Sequence, residues 1–170
     1  MAAGDSGGGL FVQALARIGV CGFPVVRDVD PPGHPDALLL LEHGGFTYDS
    51  DYYGEELPFW QTVEGRPHLI VPYSLTNNDG KYAAGMTTSE QWFTLCRDAF
   101  DVLYKEGATA PKMMSVGLHQ RLIGHPGRIA GLWRLLDYIQ QQKGVWVTRR
   151  LDIANHWKAR HPYPGKGLNE

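Results

Sequence analysis

The run Lys112-Met113-Met114-Ser115-Val116-Gly117-Leu118-His119-Gln120-Arg121-Leu122-Ile123-Gly124-His125-Pro126-Gly127-Arg128 decides how this chain folds and where its chemistry would lie. Its first part is apolar and nearly uncharged, which predicts a buried strand from Lys112 to Leu118. His119 follows that strand, and Pro126 is placed as at the first position of a helix. Because α/β enzymes carry catalytic side chains where buried strands end, we expect a site at the carboxyl edge of a parallel sheet.

The segments on either side alternate between strand and helix patterns. Short β-branched or apolar runs at 69–73 and 145–148 predict two more strands. Thr87 and Glu90 have capping-box spacing at the start of a helix that should end near Gly107. A second helix should run from Pro126 to Gly144, and a third should cover 151–157 and end before Pro162. This order predicts an α/β fold with a parallel sheet and right-handed crossovers.

Composition and charge limit the classes of partner. The chain has 170 residues, of which 43% are hydrophobic, so it fits one domain with a sizeable core. Lys and Arg number 16 against 18 for Asp and Glu, and the isoelectric point is about 6.4. This balance offers no cationic excess for phosphates or an anionic lipid surface. We therefore expect no nucleic acid and no membrane among the partners.

The cysteines and the N-terminal residues bear on the compartment. Cys21 and Cys96 lie in different segments without CxxC or ligand spacing, which favours a reducing environment. Residues 1–9 are glycine-rich and lack the basic start of a secretory signal, and no apolar run approaches the roughly 20 residues of a transmembrane helix. A cytoplasmic location is the expectation. Residues 1–36, with breakers at 30–35, are expected to be a divergent or poorly ordered segment, and 164–170 a tail.

His119 is the strongest candidate for chemistry. An imidazole at a strand end titrates near neutral pH and can give a proton to a departing amine. The alternative is a buried histidine that donates to a backbone carbonyl. His125 precedes the helix-starting proline, where a capping role is more common than catalysis. Arg121 and Arg128 could hold a carboxylate or ureido oxygen with two donors, although exposed loop arginines are also common.

Further polar candidates follow other predicted strands or turns. Asp49 and Asp51 could share a cation or a proton, but aspartate in such a position is more often a local hydrogen-bond acceptor in a turn. Asn78 and Asp79 suit amide recognition, while Asn-Asp-Gly is also an ordinary turn. Trp60 could line a pocket, although packing in a core is the more common role of such a tryptophan. Neither an HxxxH or HExxH pair nor a phosphate-binding glycine loop occurs.

The order of several motifs resembles the C-terminal half of a polysaccharide deacetylase (NodB-homology) protein. The likeness extends over about 38–163 and points to the cytosolic branch of allantoinase-type ureide hydrolases and peptidoglycan deacetylase-like proteins. The motifs are HGGFTYDSD at 43–51, LPFW at 57–60, VPY at 71–73, Asn78-Asp79, SVGLHQRLIGHPGR at 115–128 and RRLDIANHW at 149–157.

The resemblance implies a distorted (β/α) barrel that hydrolyses carbon–nitrogen bonds other than peptide bonds. Leu118-His119 matches the family's leucine–histidine motif, which makes His119 the catalytic general acid. The implied substrate is a small-molecule amide, a ureide or an N-acetylated sugar. The residues assigned to substrate binding are Arg121, Asn78, Asp79, Asp49 and Trp60.

The resemblance also marks what this sequence lacks. The family's aspartate pair, its HxxxH motif and its base-orienting arginine find no match, so 37–163 corresponds to an incomplete barrel without its N-terminal strands. We expect no cofactor on this chain, whereas a full-length relative could hold a divalent metal. Two functions stay open: a C–N hydrolase that is truncated and impaired, or a non-catalytic barrel remnant that associates with another chain. Open strand edges would also permit a homo-oligomer.

Overall fold

The computed structural model describes residues 10–16, 42–44, 46–63 and 65–163, and these fall into two compact units. The first unit contains 10–16 and 74–148, and the second contains the other described residues. The predicted apolar run at 38–41, the tail at 164–170 and most of 1–36 lie outside the described residues.

A parallel sheet forms the frame of the first unit. Its strands are β1 (Leu10–Ala16), β4 (Lys112–Leu118) and β5 (Val145–Val147), in the order β4-β1-β5. Leu10 aligns with Lys112 on one side and with Val145 on the other, and both pairings are parallel. The prediction of a parallel α/β sheet is therefore confirmed for this unit, and the predicted bounds of β4 agree with the structure.

The helices of the first unit are a 3₁₀ helix (Asp79–Tyr82), α1 (Ser89–Glu106), α2 (Gln120–Ile123) and α3 (Pro126–Gln140). The two long helices, α1 and α3, were predicted, whereas the two four-residue helices were not. The predicted capping box was one residue out of place, because Thr88 pairs with Gln91 at the start of α1. The carboxylate of Glu90 binds Arg134 instead. Helix α3 ends before Gly144, which has φ +74° in the turn into β5.

Strand β4 and the two long helices supply most of the core of the first unit, and each of the two short helices adds one residue. Gly131 lets α3 approach α1 closely, since a Cβ there would lie 2.7 Å from the Ser89 carbonyl oxygen. Apolar spacing of three and four on each helix turns one stripe inward. The buried residues of this core are Tyr82, Trp92, Cys96, Phe100, Met114, Val116, Ile123, Leu135 and Ile139. This packing holds the carboxyl end of β4, and His119 is the first residue after that strand.

The second unit contains an antiparallel pair, β2 (Phe59–Val63) and β3 (Arg66–Ile70), and helix α4 (Arg150–Arg160). The interpretation of 69–73 as a strand of the parallel set was wrong, because β3 ends at Ile70 and pairs antiparallel with β2. Gly65, with φ +74°, supplies the left-handed position in the connecting turn. A parallel bridge between Asp49 and Ile70 adds the 49–52 segment beside β3.

Candidate active site

The end of β4 brings His119 against Asp79. The Nδ1 atom of His119 lies 2.6 Å from Oδ1 of Asp79. The backbone N–H of His119 donates to Oδ2 of the same carboxylate at 2.7 Å. Asp79 therefore holds both the ring and the backbone of His119.

Backbone pairing explains why two residues so far apart in sequence meet here. The segment before the 3₁₀ helix runs beside β4, with a parallel bridge between Asn78 and Gly117. The Gly117 N–H donates to the Asn77 carbonyl oxygen at 2.8 Å. Asp79 comes one residue after Asn78, and His119 comes two residues after Gly117. The bridge between Asn78 and Gly117 therefore brings Asp79 and His119 to the same end of the sheet. The expectation of a polar cluster at the carboxyl edge of β4 is confirmed in this form.

The environment of the pair is asymmetric. The Asp79 side chain is fully buried, whereas the His119 side chain is 43% exposed. Asp79 Oδ2 also accepts from the Ile123 N–H at 3.1 Å, so three N–H groups point at one carboxylate. An ionised carboxylate is a pure acceptor, and Nδ1 must then carry the proton that it donates. This arrangement fixes the ring and directs its other nitrogen, Nε2, away from Asp79.

Such a pair is suited to proton transfer. A protonated imidazole can release the Nε2 proton to a substrate atom while Nδ1–H stays bound to the carboxylate. The alternative interpretation of His119, a buried ring bonded to a backbone carbonyl, does not match its exposure or its partner.

Tyr82 and Arg128 lie beside the pair. Tyr82 ends the 3₁₀ helix that begins with Asp79, and its ring is buried in the core. The Arg128 Cζ atom lies 4.8 Å from the centroid of that ring. Burial raises the pKa of Tyr82, and the Arg128 guanidinium opposes that rise.

The other predicted site residues of the first unit occupy different settings. Arg121 is exposed on α2, two positions after His119. Asn78 is buried and caps the 3₁₀ helix, with its side-chain oxygen accepting from the Gly80 N–H at 2.7 Å. This local hydrogen bond is the one expected if Asn78 belongs to a turn. Substrate binding by Asp79, Asn78 or Arg121 stays a prediction.

Asp49 and Trp60 belong to the second unit. Asp49 is buried, and its Oδ2 atom lies 2.5 Å from Nε2 of His68, which is buried as well. Its Oδ1 atom accepts from the Asp51 N–H at 3.2 Å, the local turn bond that the sequence allowed. The Trp60 indole donates to the His161 carbonyl oxygen at 2.6 Å. Their assignment to substrate binding stays a prediction.

His125 was expected to cap α3 with its side chain. It occupies the N-cap position, but its side chain forms no capping hydrogen bond. That expectation was wrong, because the N–H of Arg128, the third helical residue, which a capping side chain could bind, donates to the His125 carbonyl oxygen at 2.9 Å.

Over the described residues, no three side chains of His, Cys, Asp or Glu form a group that could hold a metal ion. The donors present there therefore do not fit a metal centre. Likewise, none of the described helices is long and apolar enough to cross a bilayer.

Comparisons with known proteins agree on one family. A Schizosaccharomyces pombe protein assigned to the polysaccharide deacetylases is 48% identical over 128 residues, which cover 68% of this chain and 40% of that protein. A Pseudomonas aeruginosa PAO1 crystal structure assigned to the same enzymes is 51% identical with a TM-score of 0.70. This chain is a portion of a polysaccharide deacetylase-family protein. No protein-family model matches it.

The fold and the allantoinase likeness are supported by further structures. The crystal structure of the PuuE allantoinase is 48% identical, with a TM-score of 0.73 over 78% of this chain and 45% of that one. A Mycobacterium smegmatis structure at 24% identity and TM-score 0.63 supports the fold alone. The mixed α/β fold of this deacetylase-family chain thus matches solved structures. The chain spans less than half the length of each of these relatives.

Proposed function

We propose that this chain carries the acid side of a hydrolase that cleaves carbon–nitrogen bonds other than peptide bonds, with His119 as the general acid. The observation that carries the proposal is the exposed His119 ring held at Nδ1 by the fully buried Asp79 carboxylate. Relatives assigned as polysaccharide deacetylases and an allantoinase support the reaction class.

The proposed step is a proton transfer to the departing nitrogen. As the C–N bond breaks, the electron pair of that bond stays on nitrogen, and the Nε2 proton of imidazolium is transferred to it. The neutral ring that remains is the Nδ1–H form, which Asp79 already binds. A positioned general acid of this kind typically contributes 10²- to 10⁴-fold to the rate.

The substrate would be a small amide, a ureide or an N-acetylated sugar. Arg121 is exposed near His119 and can offer two parallel N–H donors to a carboxylate or ureido oxygen. Among the predicted substrate-binding residues of the first unit, Arg121 is exposed, whereas Asn78 and Asp79 are buried, so Arg121 is best placed to contact a substrate. A planar, two-donor contact favours a ureide over a neutral sugar hydroxyl.

We further propose that the chain forms part of a distorted (β/α) barrel and is less active alone than a longer protein. The parallel sheet, the strand–helix alternation and the partial coverage of the relatives support this. Activation of water by a base or a metal would be supplied by the rest of that barrel.

The test is hydrolysis of allantoin and of an N-acetylglucosamine oligomer by the chain and by a chimera. The chimera joins the chain to the unmatched part of the Schizosaccharomyces pombe relative. We expect the chimera to be the more active form and His119→Ala to lower its kcat by roughly 10²- to 10⁴-fold. Turnover by the chain alone at ordinary enzyme rates, on the order of 1 to 10³ per second, would exclude impaired activity. Equal turnover by the chimera and its His119→Ala variant would exclude His119 as the acid.

A further inference from the structure

Arg128 contacts both segments that supply the Asp79–His119 pair. Its Nη1 atom donates to the carbonyl oxygen of Leu122 at 3.3 Å, within the helix that follows His119. Its Cζ atom lies 4.8 Å from the Tyr82 ring centroid, in the helix that begins with Asp79. One guanidinium therefore joins the two helices.

Both helices need such a connection because they are short. Each has four residues, and helices of one turn are marginal without tertiary contacts. Asp79 must reach the ring and two backbone N–H groups at once, so a small relative shift of the helices would lengthen at least one bond. The sequence permitted Arg128 as a ligand for a substrate oxygen, but its guanidinium is engaged within the protein.

We propose that Arg128 is a positioning residue that keeps Nδ1 of His119 on Asp79 by bracing the helix of each. Its planar guanidinium can donate in its plane while its face lies on an aromatic ring, which a lysine ammonium cannot reproduce. The catalytic meaning of the brace rests on the proposed role of His119, but the brace itself can be measured without catalysis.

The test follows the His119 side chain by ¹H–¹⁵N NMR in the full chain. The signal is assigned by its loss in His119→Gln. In the unaltered protein we expect the Nδ1–H form with slow proton exchange. Arg128→Gln and Arg128→Lys should each speed that exchange roughly 10-fold or more, since local opening controls it. Tyr82→Leu should act in the same way, whereas Tyr82→Phe keeps the ring and should change little.

A double-variant cycle and two controls separate the brace from general destabilisation. The double variant Arg128→Gln with Tyr82→Leu should exchange the His119 proton no faster than the faster of the two single variants, because both changes remove the same contact. Arg134 lies on the same helix as Arg128, and its guanidinium is 5.1 Å from the Phe93 ring of helix α1. Arg134→Gln removes that contact and should leave the exchange at His119 unchanged. The His68 ring, bound to Asp49 in the second unit, is the internal reference.

Two results would overturn the proposal. One is unchanged His119 exchange in the folded Arg128→Lys and Tyr82→Leu variants. The other is an equal rise at His68 and His119, which would mean that the whole chain has been loosened. By contrast, full turnover in the chimera carrying His119→Ala would remove the proposed function and leave the NMR result standing.

Discussion

Asp79 Oδ1 lies 2.6 Å from Nδ1 of His119, although 40 positions separate the two residues in the chain. The contact joins a buried carboxylate to an exposed ring, so one residue is inaccessible and the other can meet a substrate. Replacement of Asp79 should therefore affect the stability of the fold, whereas replacement of His119 should affect mainly the proposed proton transfer.

Removal of the Asp79 carboxylate should cost both stability and activity. Asp79→Ala leaves three N–H groups without this acceptor, and we expect a loss of about 3 kcal/mol in the free energy of unfolding. Asp79→Asn keeps the shape but places an amide donor among donors, so it too should be destabilising. Urea denaturation of the two variants measures the loss of stability, and hydrolysis by the chimera carrying each change measures the loss of activity. A loss below about 0.5 kcal/mol for Asp79→Ala, the range of an ordinary surface substitution, would contradict this account.

His125→Ala is the matched control for the histidine variants. A capping side chain is typically worth about 0.5–2 kcal/mol, but His125 makes no capping hydrogen bond. We therefore expect its replacement to cost less than about 0.5 kcal/mol in the free energy of unfolding, because exposed sites without special contacts tolerate change. Thermal and urea unfolding would both report it. A cost above about 1 kcal/mol, within the capping range, would show that the side chain has a structural contact of its own.

The buried Asp49–His68 pair should behave differently from an exposed pair in the same unit. Removal of one member leaves a buried polar group without its partner, so Asp49→Ala or His68→Ala should each cost about 3 kcal/mol. Replacement of both by leucine should cost less than the sum of the single changes, since no orphaned group remains. Arg149→Ala, which breaks an exposed contact to Asp152, should cost under about 1 kcal/mol.

Urea denaturation curves of the four variants measure these changes in the free energy of unfolding. If the double leucine variant lost the full sum of the single changes, Asp49 and His68 would contribute independently, and the pair would have no mutual stabilisation.

Local sequence signals predicted β4, the two long helices of the first unit and helix α4 of the second, but they did not predict β1 or the β2–β3 hairpin. The uncharged apolar run gave the bounds of β4, and Pro126 gave the start of α3. The antiparallel hairpin was missed because Pro58 and Pro67 weaken the strand pattern, although proline is tolerated at sheet edges. Strand direction also depends on tertiary pairing, which a single apolar run does not encode.

The site was predicted in part for the same reason. His119 follows a strand whose pattern is strong, so its position could be inferred from sequence. Asp79 was assigned to substrate binding because it follows a predicted strand and suits amide recognition, and nothing local connects it to a residue 40 positions later. Both residues follow predicted strands, but the run at 69–73 that precedes Asp79 belongs to the antiparallel hairpin of the second unit, so this pattern did not predict the contact. His68 carried no signal, since it lies in a short strand between apolar residues and a proline.

Cys96 should be chemically inert in the folded chain. It is fully buried in the core of the first unit, and burial raises the pKa of its thiol to about 12. Only about one thiol in 10⁴ would be ionised at pH 8, and thiolate is the reactive form. The unfolded chain releases this proton near its ordinary pKa of 9.0, so the native state loses relative stability as the pH rises from there towards 12 and is unaffected below it. In a Cys21→Ser background, reaction with Ellman's reagent at pH 8 should be over 100-fold slower than in urea, as expected for a buried thiol. The Cys96→Ala variant in that background gives the blank. Reaction of the folded chain at the rate measured in urea would mean that Cys96 is accessible and that the α1 core opens readily.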